Sequence, residues 1–326
     1  VNIAKAKILQ SAPKILPSTN PKLWYHFGNA IAGLRASALG PLCWEAQMLL
    51  DLHCHTIATP HHSHWTPTGL MAAAQAAGIQ VIGIDDHNTT SQVTAFAEAA
   101  QAVGLDFIGG VEFDSAFNGK LWHTLVYGAN PNDPGILGLC EAVVRRNHAD
   151  AQRLLEQTRS AGHDLPSLAQ IAVDRPANLA DVAHALVRDG IWPIQTGVDP
   201  ESAGMAYLLT NQPESYNPLS VAEIVQVAHA AGGVAILAHP GREKSVYAIP
   251  ATAADFAALA AIGLDGIEVY YPMHSPEQVV FFEQQAALHG FLISAGGDSH
   301  GPRDPFSPQP AERCRDLLAR FGIDVL

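Results

Sequence analysis

From position 48 onward, short apolar runs alternate with longer stretches in which Ala, Leu and polar residues recur at helical spacing. The runs "MLLDL" (48–52), "IQVIGI" (79–84), "LDFIGGVEF" (105–113), "KLWHTLVYG" (120–128), "GGVAILAHP" (232–240), "LDGIEVYY" (264–271) and "FLISAGGDSH" (291–300) read as strands. Between them, "TPTGLMAAAQAAG" opens with Thr66 as a cap and Pro67 in the first turn and stops at Gly78. "SQVTAFAEAAQAVG" reads as the next helix. This alternation predicts an α/β fold on a largely parallel sheet, and the number of units suits a closed or nearly closed barrel. Residues 133–225 break the pattern. Helical stretches at 136–162 and 178–190 carry no clear strands, and 196–218 reads as loop. This segment is expected to be a helical insertion lying over the mouth of the barrel.

Residues 1–47 differ from the rest, with five basic residues against Glu45 alone and the loop-like run "SAPKILPSTNPK". A peripheral or disordered extension is expected there, with an ordinary packed N-terminal helix as the alternative. The folded domain is expected over 48–326.

Composition narrows the function. A net charge of −13 argues against a general nucleic-acid-binding surface, so no stable nucleic-acid complex is expected. No apolar run is long enough to span a membrane, and there is no signal-peptide pattern. The four cysteines form no CxxC pair, which suits a reduced, cytoplasmic protein. Oligomeric state is not legible. The 16 histidines are the unusual feature, because many of them fall where strands should end.

"DLHCHT" places Asp51, His53 and His55 at every second position, which on a strand means one face. Asp85, Asp86 and His87 follow the second strand, and Glu112 ends the third. His123 lies in the fourth, His239 follows "AILA", and Asp298 and His300 follow "LISAGG". Barrel topology brings strand ends together on one face. Imidazoles and carboxylates gathered there suit Zn²⁺, Mn²⁺ or Fe²⁺ without any thiolate.

The ordered set "DLHCHT", "DDHN", "GGVEF", "LAHPGR", "DGIEVYY" and "GGDSHG" resembles the PHP (polymerase and histidinol phosphatase) domain phosphoesterases. The resemblance implies a distorted seven-stranded, TIM-like β/α barrel holding two or three divalent metal ions. It implies His53, His55, Glu112 and Asp298 as ligands of the first metal, with Glu112 bridging to a second held by His123 and His239. His87 and His300 match ligands of the third. Six positions after His55, His61 is the preferred remaining ligand over His62 and His64. Asp51 is expected to orient a ligand by hydrogen bonding. Arg242 and His274 are expected to contact substrate, with Arg145 and Arg146 as candidates for a further phosphate. The implied activity is hydrolysis of a small phosphomonoester, a nucleotide or nucleoside bisphosphate, by a metal-bridging hydroxide, with Glu112, Asp298 and His300 as the catalytic set. Histidinol phosphate is the alternative substrate, and a non-catalytic metal-binding regulatory module the alternative class. The nucleotide branch often has an Arg-Pro-His run in its insertion. The region "ANLADVAHALVRDG" lacks it.

Overall fold

The computed structural model describes residues 47–58, 63–194, 197–243 and 249–325. Residues 1–46, and with them most of the expected N-terminal extension, lie outside the described residues, as do His61 and His62. Among the described residues there are nine strands: β1 (Leu49–Asp51), β2 (Ile79–Ile84), β3 (Asp106–Phe117), β4 (Lys120–Tyr127), β5 (Leu219–Ser220), β6 (Val234–Leu237), β7 (Gly266–Tyr270), β8 (Leu292–Ala295) and β9 (Gln309–Pro310). Helices α1 (Pro67–Ala76) and α2 (Val93–Val103) follow β1 and β2. Helices α3 (Pro134–Ser160), α4 (Leu168–Ile171), α5 (Leu179–Arg188) and α6 (Pro200–Asn211) lie between β4 and β5. Helices α7 (Val221–Ala230), α8 (Ala253–Ala261), α9 (Pro276–His289) and α10 (Arg315–Ala319) complete the set.

The sheet runs β8-β7-β6-β4-β3-β2-β1-β9, with β5 paired beside β3. Beyond the end of β1 the chain meets the far edge: Leu52 N donates to Ala295 O at 3.0 Å and Ser299 N to His53 O at 3.2 Å. The fold is thus a nearly closed α/β barrel whose main staves are the seven strands expected, with β9 and β5 as two-residue additions.

The largely parallel sheet needs correction at one stave. β4 is antiparallel to both β3 and β6. It is the return arm of a hairpin closed by Asn118–Gly119, both at positive φ (49° and 76°), the pair that a tight two-residue turn favours. For the same reason β3 does not end at Glu112 but runs on to Phe117, which puts Glu112 mid-strand. Because β4 is reversed, its early residue His123 comes to the end of the barrel that holds the C-termini of β1 and β2. The stretch 196–218, read as loop, contains α6. Asp199 caps it, accepting from Ser202 N at 2.9 Å, and Pro200 sits in its first turn.

Each barrel strand is buried on two sides, which explains the near-continuous apolar runs. Leu50, Val81, Ile108, Leu125 and Ile236 pack inside with Cys314, Leu317 and Leu318. Phe321 lies against Gly128, just past the end of β4, so the C-terminal segment fills the barrel end away from His123. Outside, Ile82 and Ile84 pack with Leu70 and Phe96 of α1 and α2. The opposite end is left to polar residues.

Candidate metal centre

Among the described residues, four groups of side chains that could hold a metal ion meet at that end: His53, His55, Glu112 and Asp298; Glu112, His123 and His239; His55, His87 and His300; and His87, Asp114 and His123. Eight of the nine residues expected as ligands are therefore brought together. The ninth, His61, lies outside the described residues, and His64 is exposed.

Glu112 is the hub. Its Oε1 lies 2.9 Å from His123 Nδ1 and 3.2 Å from His239 Nε2, and its Oε2 lies 3.0 Å from His87 Nδ1 and 3.2 Å from His55 Nε2. Asp298 Oδ1 approaches His55 Nε2 at 3.0 Å. Burial alone would raise Glu112, but the imidazoles of His123, His87 and His53 hold it well below the usual carboxylate range. Burial opposes charge on His53, yet the Glu268 and Glu112 carboxylates lift it well above its ordinary value. Burial likewise opposes charge on His55, but the Asp298 and Glu112 carboxylates beside it lift it to about 9.

The donor set fits divalent ions. His53 Nε2, His87 Nδ1 and Glu112 Oε2 are buried at the centre of the cluster and make no hydrogen bond. Buried polar atoms normally have partners, and cations held by the ligand groups above would satisfy them. The backbone is also held in unusual states here. His239 and Asp298 have φ of +27° and +55°, conformations that cost about 1–3 kcal/mol each and concentrate at functional sites.

Asp51 is fully buried but does not touch an imidazole. It accepts from the backbone N–H groups of His53 (3.2 Å), Gly297 (2.9 Å) and Ser307 (2.9 Å), and so ties the segment carrying His53 to the loop carrying Asp298. The carboxylate that does orient His53 is Glu268, 3.0 Å from its Nδ1, whose other oxygen accepts from His239 N at 2.7 Å. Sequence reasoning missed Glu268, although a lone carboxylate inside the apolar run "GIEVYY" was the signal. It missed Asp114 as well, which stands opposite His123 on the hairpin and 3.4 Å from its Nε2.

His274 is not placed for substrate. It is buried, its Nδ1 donates to Val269 O at 2.9 Å, and its Nε2 accepts from Gly241 N at 3.1 Å. With both ring nitrogens engaged, it braces the loop that carries Arg242. Arg242 does reach the centre, with Nη1 3.4 Å from Asp298 Oδ2. Arg146 instead pairs with Glu223 at 3.0 Å, and Arg145 is exposed.

A cavity of about 690 Å³ opens over the cluster. The barrel contributes Trp122, His123, His239, Arg242 and His300. The roof comes from α3 (Val144, Asn147, His148), α5 with the residues before it, and α6 (Met205, Leu209). Arg175 is on this wall too, locked to Asp181 by bonds of 2.6 and 2.8 Å. It opens an Arg175–Pro176 pair that is followed by Ala177, so the Arg-Pro-His run is present in its first two positions.

Comparison with known proteins accords with this geometry. The PHP domain matches residues 51–172. The chain is 28% identical to the 3',5'-nucleoside bisphosphate phosphatase of Chromobacterium violaceum, covering 78% of this chain and 87% of that one. It is 25% identical to the phosphoribosyl 1,2-cyclic phosphate 1,2-diphosphodiesterase of Eggerthella lenta, covering 78% and 95%. It is 26% identical to a 5'-3' exoribonuclease of Haemophilus influenzae, covering 77% and 90%. The crystal structure of a metal-dependent phosphoesterase from Bifidobacterium adolescentis superposes with a TM-score of 0.64 at 26% identity, covering 86% and 98%. That of an amidohydrolase from Chromobacterium violaceum with bound sulfate and no metal also gives 0.64 at 26%, covering 83% and 96%.

Proposed function

The chain belongs to the PHP-domain metal-dependent phosphoesterases, and on that premise we propose that it hydrolyses a small phosphomonoester, a nucleotide or nucleoside bisphosphate, at the Glu112 cluster. The observation carrying this reading is the union of one carboxylate shared among ligand groups with a guanidinium at the same rim, beneath a cavity sized for a mononucleotide. His53, His55, Glu112 and Asp298 would hold one ion; Glu112, His123 and His239 a second; His87 and His300, with His55 or His61, a third. Ions held there supply Lewis acidity toward phosphoryl oxygens and lower the pKa of water from 15.7 toward about 7. Arg242 offers its planar fork to the phosphoryl group, for which charge-assisted, two-point bonding is the fitting mode. Glu268 and Asp114 hold the imidazoles of His53 and His123 in register. The roof excludes bulk water from the reacting group and contacts the leaving group.

The second reading is phosphodiester cleavage at a cyclic phosphate or an RNA end, supported by the names of two of the relatives. Those names also widen the partner expectation to RNA as a substrate, though the chain's negative charge remains unsuited to a long nucleic-acid track.

The test is a screen with Mn²⁺, Zn²⁺ or Fe²⁺ added and metal content measured on the same sample. The panel contains mononucleotides, nucleoside 3',5'-bisphosphates, histidinol phosphate, a ribose cyclic phosphate and 5'-phosphorylated oligoribonucleotides. Release of inorganic phosphate from the monoesters, in proportion to metal content, is expected. Turnover confined to cyclic or oligomeric substrates would favour the second reading. Metal-loaded protein inert on every substrate would leave only the non-catalytic module.

A further inference from the structure

Among the described residues, six unpartnered buried side-chain atoms lie at the barrel rim, and they fall into two sets. His53 Nε2, His87 Nδ1 and Glu112 Oε2 belong to residues of the candidate ligand groups, and bound ions account for them. His55 Nδ1 and both carboxylate oxygens of Asp85 are equally buried and equally without a hydrogen bond, and nothing described so far accounts for those.

His55 presents Nε2 to Asp298 and Glu112, so its Nδ1 faces away from the ligand cluster. Three other imidazoles of the centre have a partner for the nitrogen turned away from it. His53 Nδ1 has Glu268 at 3.0 Å, His123 Nε2 has Asp114 at 3.4 Å, and His300 Nδ1 has the Asp298 carbonyl at 2.8 Å. A metal-bound imidazole almost always gives its other N–H to an acceptor. Among the described residues, His55 Nδ1 is a fully buried nitrogen turned away from the cluster with no such acceptor.

Asp85 is the complementary exception. It follows β2, is fully buried, and its backbone N–H donates to Cys54 O at 2.9 Å, between the two histidines. Its neighbours Ile84 and Cys54 both pack in the core outside the barrel. Asp85, His53 and His55 therefore turn inward together. The next strand makes room for this carboxyl: a Cβ at Gly110 would stand 2.3 Å from Asp85 Oδ1. After the effect of burial, His53 and His55 are the groups that act most strongly on Asp85.

A buried donor without an acceptor and a buried acceptor without a donor thus stand on adjacent inward-facing positions, beyond direct bonding reach. A single internal water can serve both, as such waters do between otherwise unsatisfied buried groups. We infer that Asp85 is the positioning residue of His55, acting through one buried water that accepts from His55 Nδ1–H and donates to the Asp85 carboxyl. The inference rests on the reading that His55 holds a metal ion through Nε2.

The test compares wild type, Asp85→Asn and Asp85→Val. Each is stripped of metal and titrated with Mn²⁺ and with Zn²⁺ against a chromophoric chelator, alongside the melting temperature of the metal-free form. Asp85→Val should weaken uptake by about 10- to 100-fold, the usual effect of losing an outer partner, without lowering the metal-free melting temperature. Asp85→Asn keeps an acceptor oxygen of the same reach and should stay within a fewfold of wild type. Equal affinity in all three proteins would overturn the inference, as would equal weakening in both variants. A high-resolution crystal structure of the wild type gives a reading that needs no variant. Water density between Asp85 and His55 Nδ1 is expected, and its absence overturns the inference. If wild type itself takes up no divalent ion, the metal centre falls, and this inference with it.

Discussion

The rim of the barrel and the roof above it solve different problems. At the rim, Asp51, His53, His55, Asp85, Glu112 and Glu268 are fully buried. Most of their polar atoms are committed to a neighbour, and two residues are held at positive φ. On the roof, Val144 is 63% exposed, and the wall mixes apolar groups with the amides of Asn147 and Asn178. One polar network packed into strand ends has few alternative arrangements, so it can fix reacting groups tightly. A helical roof joined by loops can change its side chains without disturbing that network. Chemistry is therefore expected to live at the rim and substrate choice on the roof. Variants should separate the two.

The sharpest contrast is at Glu112. Glu112→Gln keeps the size of the side chain but removes the charge that two ion positions share. Metal content and kcat/KM should both fall by more than the roughly 100-fold expected for an outer partner, while circular dichroism and solubility stay unchanged. Near-normal turnover in the metal-stripped variant would place the chemistry elsewhere.

Arg242 should separate binding from metal. A charge-assisted pair in a partly dry pocket is worth roughly 1.5–3 kcal/mol, or about 10- to 150-fold. Arg242→Ala should lose that much kcat/KM on monoesters at unchanged metal stoichiometry, and Arg242→Lys should recover part of it. Equal losses on monoesters and bulky diesters would mean that Arg242 only props up Asp298.

How much of this was legible follows the same division. His53, His55 and His239 announced themselves because polar residues ending apolar runs need a reason. The family resemblance then assigned their partners. Glu268 and Asp114 were harder, since a lone carboxylate inside a strand looks the same whether it orients a ligand or faces solvent, and only the cross-barrel neighbour decides. His274 was misread for the opposite reason: a histidine after a strand end suggested substrate, but the close approach of Gly241 consumed it. The antiparallel β4 was signalled by the Asn118–Gly119 pair, and α6 by Asp199–Pro200. The local turn and cap chemistry had been outweighed by the broader alternating pattern. The roof as a surface was not legible, because a cavity wall built from three helices has no periodicity of its own.

Acidity gives another handle on the rim. In the metal-free protein His55 rises from an ordinary 6.5 to about 9: burial opposes its charge, but the Asp298 and Glu112 carboxylates prevail. The folded state then holds that proton more tightly than the unfolded chain does. The stabilisation is complete below about 6.5 and is lost as pH climbs through about 9. His53 is shifted the same way. His87, His239 and His300 are lowered, chiefly by burial, so their own effect falls below 6.5. Metal-free protein should melt at progressively lower temperature between pH 6.5 and 9. Metal affinity should rise over the same interval, since ions must displace the proton. A flat melting curve over that window would mean that the imidazoles are not held by the carboxylates as described.

The smallest effect should come from the roof, and it carries the most information about substrate. Val144 lines the cavity from α3 and is mostly exposed, so Val144→Glu should leave folding, metal content and kcat unchanged. What it adds is one negative charge near the position of the leaving group. At about 10 Å through water, two unit charges interact by roughly 0.4 kcal/mol, and by up to about 1 kcal/mol where the wall lowers the effective dielectric. KM for a nucleoside bisphosphate, whose leaving group keeps a second phosphate, should therefore rise by about two- to fivefold at low salt. KM for a monoester with an uncharged leaving group should not move. The difference should fade as salt shortens the Debye length below about 8 Å. A matched rise for both substrates would put the new charge beside the scissile phosphate and make the roof part of the rim's chemistry. No rise for either would show that the leaving group lies along another wall, with Met205 and Leu209 as the next positions to charge.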